Sequence, residues 1–171
     1  DVYLGEIGAN EYYGYANVDV RPGRPYAGYL VLDNDFVEFR NPPISSLQVT
    51  VAHEFFHTVQ FAYALRAEPW LYEATATWME EQVYDGINDN RQYLRYGTFA
   101  QPRMPLDSSG FATYANWIFF EFLSRRHGAD VVRSIFTQFA TRKYNAFEAI
   151  NKALRGKGSN LRSEFVRYSS A

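Results

Sequence analysis

A chain of 171 residues, 47% hydrophobic and 21% charged, has the length and composition of one globular domain able to bury a core. Its net charge of −2 argues against a general nucleic-acid binder, and no run is long and apolar enough to span a bilayer. There is no cysteine, which excludes disulfides and thiolate metal ligands, so any metal must be held by His, Asp or Glu.

The chain opens on Asp1 with no secretory leader, as an excised or processed segment would. Charge is uneven along it: residues 1–100 carry 14 acids against 6 bases, and residues 101–171 carry 5 acids against 11 bases. The bases of "RKYNAFEAINKALRGKGSNLR" are scattered and read as solvated helix faces rather than a phosphate-tracking stripe. The 14 Tyr and 14 Phe can fill a core between helices, and they can also line a groove that holds an extended chain.

In chain order, "DVYLGEIG", "YYGYANVDV" and "AGYLVLDND" are rich in Tyr and Val and bounded by Gly, Asn and Pro, which predicts strands. "RPGRP" cannot be helix interior and should turn between two of them. Asp33 and Asp35 in "LDND" are candidate oxygen ligands for calcium, but their spacing falls short of a full calcium loop and a strand-ending turn is the plainer expectation. From "NPPISS" onward the character is helical. Ser45 and Gln48 have capping-box spacing, so a first helix should start at Ser45 or Ser46 and run to about Arg66.

A second helix should start with Pro69 in its first turn and end near Gly86, and "DNRQYLRYG" has room for a short one. In "FATYANWIFFEFLSRRHG", Phe111, Tyr114, Ala115, Ile118, Phe119, Phe122 and Leu123 follow helical spacing up to a stop at Gly128. Asp130 can cap the next helix, Asn145 and Glu148 have capping-box spacing before another, and "NLRSEFVRY" is the last. The expected fold is α+β: one unit, β-rich over residues 1–43 as a small antiparallel or mixed sheet, then helical over 44–171.

The chemistry is concentrated in "VTVAHEFFHTVQFAYA", which holds two of the three histidines in the chain. Four residues along a helix rise about 6 Å and turn almost once around, so His53 and His57 project from one face and can converge on one ion. Glu54 lies roughly 100° around the helix from His53, where a carboxylate can border the metal as a general base for water. The plain alternative is a buried helix with a few polar residues. A catalytic zinc needs a third protein ligand. His127 is one candidate, although a basic side chain at a helix end also suits the helix dipole. Glu73 is the stronger one: it interrupts the apolar segment "WLYEATATW", and a carboxylate there is costly unless something pairs it.

"HEFFH" followed by "WLYEATATWMEE" resembles the gluzincins, the thermolysin-like zinc peptidases with two ligand histidines on one helix and a glutamate on the next. "PWLYEATATW" is similar to a stretch of hyicolysin-type and related secreted bacterial metallopeptidases. "GYLVLDNDF" resembles their edge strand before the active-site helix, and "YANWIFFEFLSRRHGADVV" the helix after the third ligand. The resemblance spans roughly residues 27 to 135.

It implies a zincin-like fold with one catalytic zinc on His53, His57 and Glu73, Glu54 as general base, and Tyr114 as candidate donor to the tetrahedral oxyanion. It also implies secretion and a peptide or protein substrate, taken up by strand addition along residues 27–33. No amine-binding acid motif stands out, which favours an endopeptidase. Ala74 stands where many relatives have glycine. Thr77 stands where thermolysin-like enzymes often have an aspartate that orients a ligand histidine, so this role passes weakly to Thr77 or to another acid. The alternative function is an inactive zinc-containing module that binds a peptide or glycan in the aromatic groove without cutting it. No membrane or nucleic-acid partner is expected.

Overall fold

The computed structural model describes residues 1–19, 27–65 and 67–171, and the "RPGRP" turn lies outside them. The fold is α+β. Among the described residues there are three strands, β1 (Val2–Gly5), β2 (Gly14–Asp19) and β3 (Ala27–Asp33), and two 3-10 segments, Gly8–Asn10 and Asp89–Tyr96. Seven helices follow β3: α1 (Pro43–Tyr63), α2 (Pro69–Tyr84), α3 (Ala112–Ala115), α4 (Trp117–His127), α5 (Asp130–Thr141), α6 (Ala146–Gly156) and α7 (Leu161–Tyr168). No helix among the described residues is long and apolar enough to cross a membrane. Two compact units make up the chain, one of residues 1–62 and 79–89, the other of residues 63–78 and 90–171.

In the first unit the sheet is mixed, in the order β1-β3-β2. β1 runs parallel to β3, with Val2 opposite Leu30 and Leu4 opposite Leu32; β2 runs antiparallel to it, with Gly14 opposite Leu32 and Asp19 opposite Ala27. This corrects the expected role of residues 27–33. β3 is the central strand rather than an edge, and over Leu30–Asp33, where β1 lies against it, no peptide can add to it as an extra strand.

Residues two apart in a strand share a face, so Gly28, Leu30 and Leu32 point the same way. Leu30, Leu32 and Phe36 form the core of this unit, packed against Tyr13, Ala16, Phe39 and, from α1, Leu47 and Val51. Two glycines let α1 lie close on the sheet. A Cβ on Gly28 would stand 2.4 Å from Thr58 Cγ2, and one on Gly14 would stand 2.8 Å from Thr50 Cγ2.

The carboxylate of Asp33 ends β3. Its Oδ1 accepts from Ile7 N at 3.0 Å and Gly8 N at 2.6 Å, and its Oδ2 from Phe36 N at 2.7 Å and Asp35 N at 3.3 Å. These bonds hold Phe36 at φ 57°, a left-handed conformation uncommon for a bulky residue. Burial would push the Asp33 carboxyl up, but the four N–H groups outweigh it and hold the group below the ordinary aspartate value. Asp35 accepts from Val37 N at 3.1 Å. Both acids therefore act as turn formers.

The first helix begins earlier than the Ser45 cap predicts. Ser45 N and Ser46 N both donate to Pro42 O, which places Pro43 inside the first turn, where its missing N–H costs nothing. The helix ends at Tyr63, and Arg66, its expected end, lies outside the described residues.

In the second unit, Tyr72 Oη donates to Ala64 O and accepts from Ala67 N at 3.2 Å, fixing the turn that leads into α2. The expected single helix over 111–128 is broken at Asn116. That fully buried side chain accepts from Thr98 N at 3.2 Å and Thr98 Oγ1 at 3.1 Å and donates to Leu106 O at 2.8 Å, so it clamps a loop at the point where the helix stops and restarts. Phe119 and Leu123 are buried as the spacing predicts. Phe111 is exposed, and Phe120, off the predicted stripe, is buried against Trp70.

Asp130 is the first residue of α5 rather than its cap, and its carboxylate accepts from Lys157 Nζ at 2.7 Å. The Asn145–Glu148 capping box of α6 is present, with bonds of 2.9 and 3.0 Å. Asn160 caps α7 by accepting from Ser163 N at 3.0 Å. Glu164 on α7 is fully buried and accepts from Ser159 Oγ at 2.5 Å, Arg126 Nε at 2.8 Å and Arg167 Nη1 at 2.8 Å.

Candidate metal centre

Three polar residues of one turn of α1, His53, Glu54 and His57, are buried, and Gln60 in the next turn is only 1% exposed. Burying so much polarity in an apolar helix is unfavourable unless each group is satisfied. The two imidazoles stand 4.8 Å apart between centroids and nearly perpendicular, at 80°. The ring of Phe61, one turn beyond His57, lies parallel to it at 6.1 Å.

Each imidazole is held at Nδ1. His53 Nδ1 lies 2.7 Å from Glu80 Oε1, and His57 Nδ1 lies 2.6 Å from Gln60 Oε1. With the proton on Nδ1 shared toward an acceptor, Nε2 is the nitrogen that a cation would meet in both rings. Burial pushes the Glu80 carboxyl up to about 7; the hydrogen bond and charge of His53 oppose this, and the charges of Asp89 and Glu54 add to it. A proton in this short buried bond can sit on His53 Nδ1 or on Glu80 Oε1. A cation at Nε2 would draw that proton to Nδ1 and leave Glu80 as the carboxylate.

One ligand atom from each of His53, His57 and Glu73 lies within 4.8 Å of the other two. Glu73 is half-buried on α2, among Leu71, Ala74, Ala76 and Trp78, all of them buried. The donor set fits zinc: two neutral imidazoles and a carboxylate leave a tetrahedral ion one position for water or substrate. Glu54 lies on the same turn of α1 as His53.

Thr77 does not orient a histidine. It is buried, and its Oγ1 has no hydrogen-bond partner among the described residues. Glu80 takes the role, three residues further along α2. The signal was legible: seven residues are nearly two turns, so Glu80 lies on the same face of α2 as Glu73. Gln60 carried a similar signal, three residues after His57 and so within its reach on the same helix.

Tyr114 lies on α3, half-buried, its ring stacked on Tyr93 at 5.1 Å. His127 closes the last turn of α4, with Nε2 3.2 Å from Glu164 Oε1, in keeping with a basic residue at a helix end. Oxygens of Glu6, Asp33 and Glu38 also lie within 4.8 Å of one another, but the carboxylate of Asp33 is already bound by four backbone N–H groups.

The fold is that of an α+β protein, and its His53, His57 and Glu73 form a group that could hold a metal ion. Residues 39–171 match the family model DUF6055, described as a family of unknown function, and the chain belongs to that family. The matched range takes in all seven helices and leaves the three strands before it. No curated protein and no solved structure matches the chain.

Proposed function

We propose that the chain is a zinc-dependent peptidase of the gluzincin type, acting as an endopeptidase on peptide or protein substrates. The observation that carries this reading is the pair of α1 imidazoles, each held at Nδ1 by a buried acceptor, in a cluster with Glu73 and beside Glu54. His53, His57 and Glu73 would hold one zinc ion, which when bound supplies Lewis acidity to a peptide carbonyl and to water.

Glu54 takes the proton from the attacking water and hands it to the departing amine. It is buried, out of bulk water, on the turn that carries both histidines. Tyr114 is the candidate donor to the oxyanion that develops on the carbonyl carbon's oxygen. Secretion belongs to the same proposal and is supported by the resemblance of "HEFFH" and "PWLYEATATW" to secreted metallopeptidases.

The test is hydrolysis of unstructured casein by the purified chain with and without a chelator, alongside elemental analysis of the protein. One zinc per chain and chelator-sensitive cleavage are expected. Tight peptide binding without turnover would favour the inactive module instead, and absence of zinc would end the peptidase reading.

A further inference from the structure

Gln60 presents an unusual choice of residue. It sits in the last turn of α1, one turn beyond His57, and it is 1% exposed. A primary amide in such a place costs free energy that Leu or Met would not, unless its polar atoms are used. Its Oε1 is used, at 2.6 Å from His57 Nδ1.

From this contact we infer that Gln60 is a positioning residue that fixes His57 as the Nδ1–H tautomer and so directs Nε2 toward the cation. The inference rests on the zinc reading of the cluster and deepens it. An amide does not gain or lose protons at ordinary pH, so its carbonyl oxygen can only accept. His57 Nδ1 must then donate, so the neutral ring carries its one proton there and leaves Nε2 bare. The His53–Glu80 pair differs, because a carboxyl group, unlike an amide, can itself carry a proton. The two ligand histidines are therefore oriented by different means: His53 by an acid on α2, His57 by a neutral amide on its own helix. A neutral partner also leaves His57 a less basic ligand than a carboxylate would, which preserves the Lewis acidity of the ion. The opposite amide orientation would put a donor against Nδ1 and a proton on Nε2, closing His57 to any metal.

The experiment uses the full chain with 15N-labelled histidine. In metal-free protein above pH 8, long-range proton–nitrogen correlation should show His57 protonated at Nδ1 and not at Nε2. Gln60→Leu should lose that preference and bind zinc about 10–100-fold more weakly in competition with a chromophoric chelator. Gln60→Glu, which restores an acceptor, should bind zinc within about threefold of the parent, since the acceptor and not the amide is what orients the ring. A proton on His57 Nε2 in the parent would overturn the inference, as would a folded Gln60→Leu protein with parental zinc affinity. Should Gln60→Leu not fold, the parent spectrum and Gln60→Glu still decide. A parent that binds no zinc would remove the metal reading and leave the tautomer result standing, so the two failures are told apart.

Discussion

His53 on α1 and Glu80 on α2 face each other at 2.7 Å, both buried, so this imidazole is oriented from a second helix. A ligand imidazole without its acceptor can rotate and take either tautomer, which weakens metal binding more than it weakens the fold. Glu80→Leu should lower zinc affinity by about 10–100-fold. Glu80→Gln, which keeps an acceptor oxygen, should fall between Glu80→Leu and the parent. Chelator competition on the metal-loaded chain measures both. Parental affinity in folded Glu80→Leu would show that His53 needs no second helix to hold it.

Glu54 and His57 stand on one turn of one helix, yet their losses should read differently. Glu54→Gln removes a proton acceptor while leaving all three ligands, so zinc should remain and casein hydrolysis should fall about 10²–10⁴-fold. His57→Ala removes a ligand, and both zinc and hydrolysis should go. Elemental analysis beside a cleavage assay separates the two. If Glu54→Gln cleaved as fast as the parent, the base would have to be sought elsewhere.

The parts of this molecule that could be read in sequence are those set by local spacing. His53, Glu54 and His57 are fixed by helix geometry alone, and the Asn145–Glu148 box needs nothing beyond its own turn. The parts that could not be read depend on residues distant in sequence. Parallel pairing of β1 with β3 leaves no local mark, so nothing in the sequence of β3 corrects the edge position that the resemblance implies, and the strand is central. Asn116 looks like a tolerable helix residue until its bonds to Thr98 and Leu106 are seen. Ser45 satisfies a capping pattern, but Pro42 and Pro43 start the helix two residues sooner.

Glu164 should govern acid stability in the second unit. Burial would push its carboxyl up, but Ser159, Arg126 and His127 outweigh burial and hold it below the ordinary glutamate value of 4.5. A group with a lowered folded value binds fewer protons folded than unfolded, so its contribution is full above about pH 4.5 and is lost as pH falls through the folded value. Glu164→Gln should therefore cost about 1–3 kcal/mol at pH 7. The gap from the parent should narrow below about pH 4.5. Denaturant unfolding at pH 7 and near pH 3 checks the sign; a gap that widened in acid would refute it.

Gly28 on β3 ties the fold to the centre. A Cβ there would stand 2.4 Å from Thr58 Cγ2 and 2.6 Å from Thr58 Cβ, distances that real side chains do not tolerate. Thr58 is next to His57, and its own Oγ1 donates to Phe55 O at 2.7 Å, so its rotation is not unconstrained. Gly28→Ala must therefore move this turn of α1 off the sheet. Overpacking of this kind costs about 1–3 kcal/mol. Because the displaced turn carries a ligand, zinc affinity should fall with stability, whereas Gly86→Ala, where an added Cβ meets nothing within 4 Å, should change neither. Thermal unfolding and chelator competition on the two variants measure this directly. Equal stability and affinity in Gly28→Ala would mean that the close approach of β3 does not position the histidine turn.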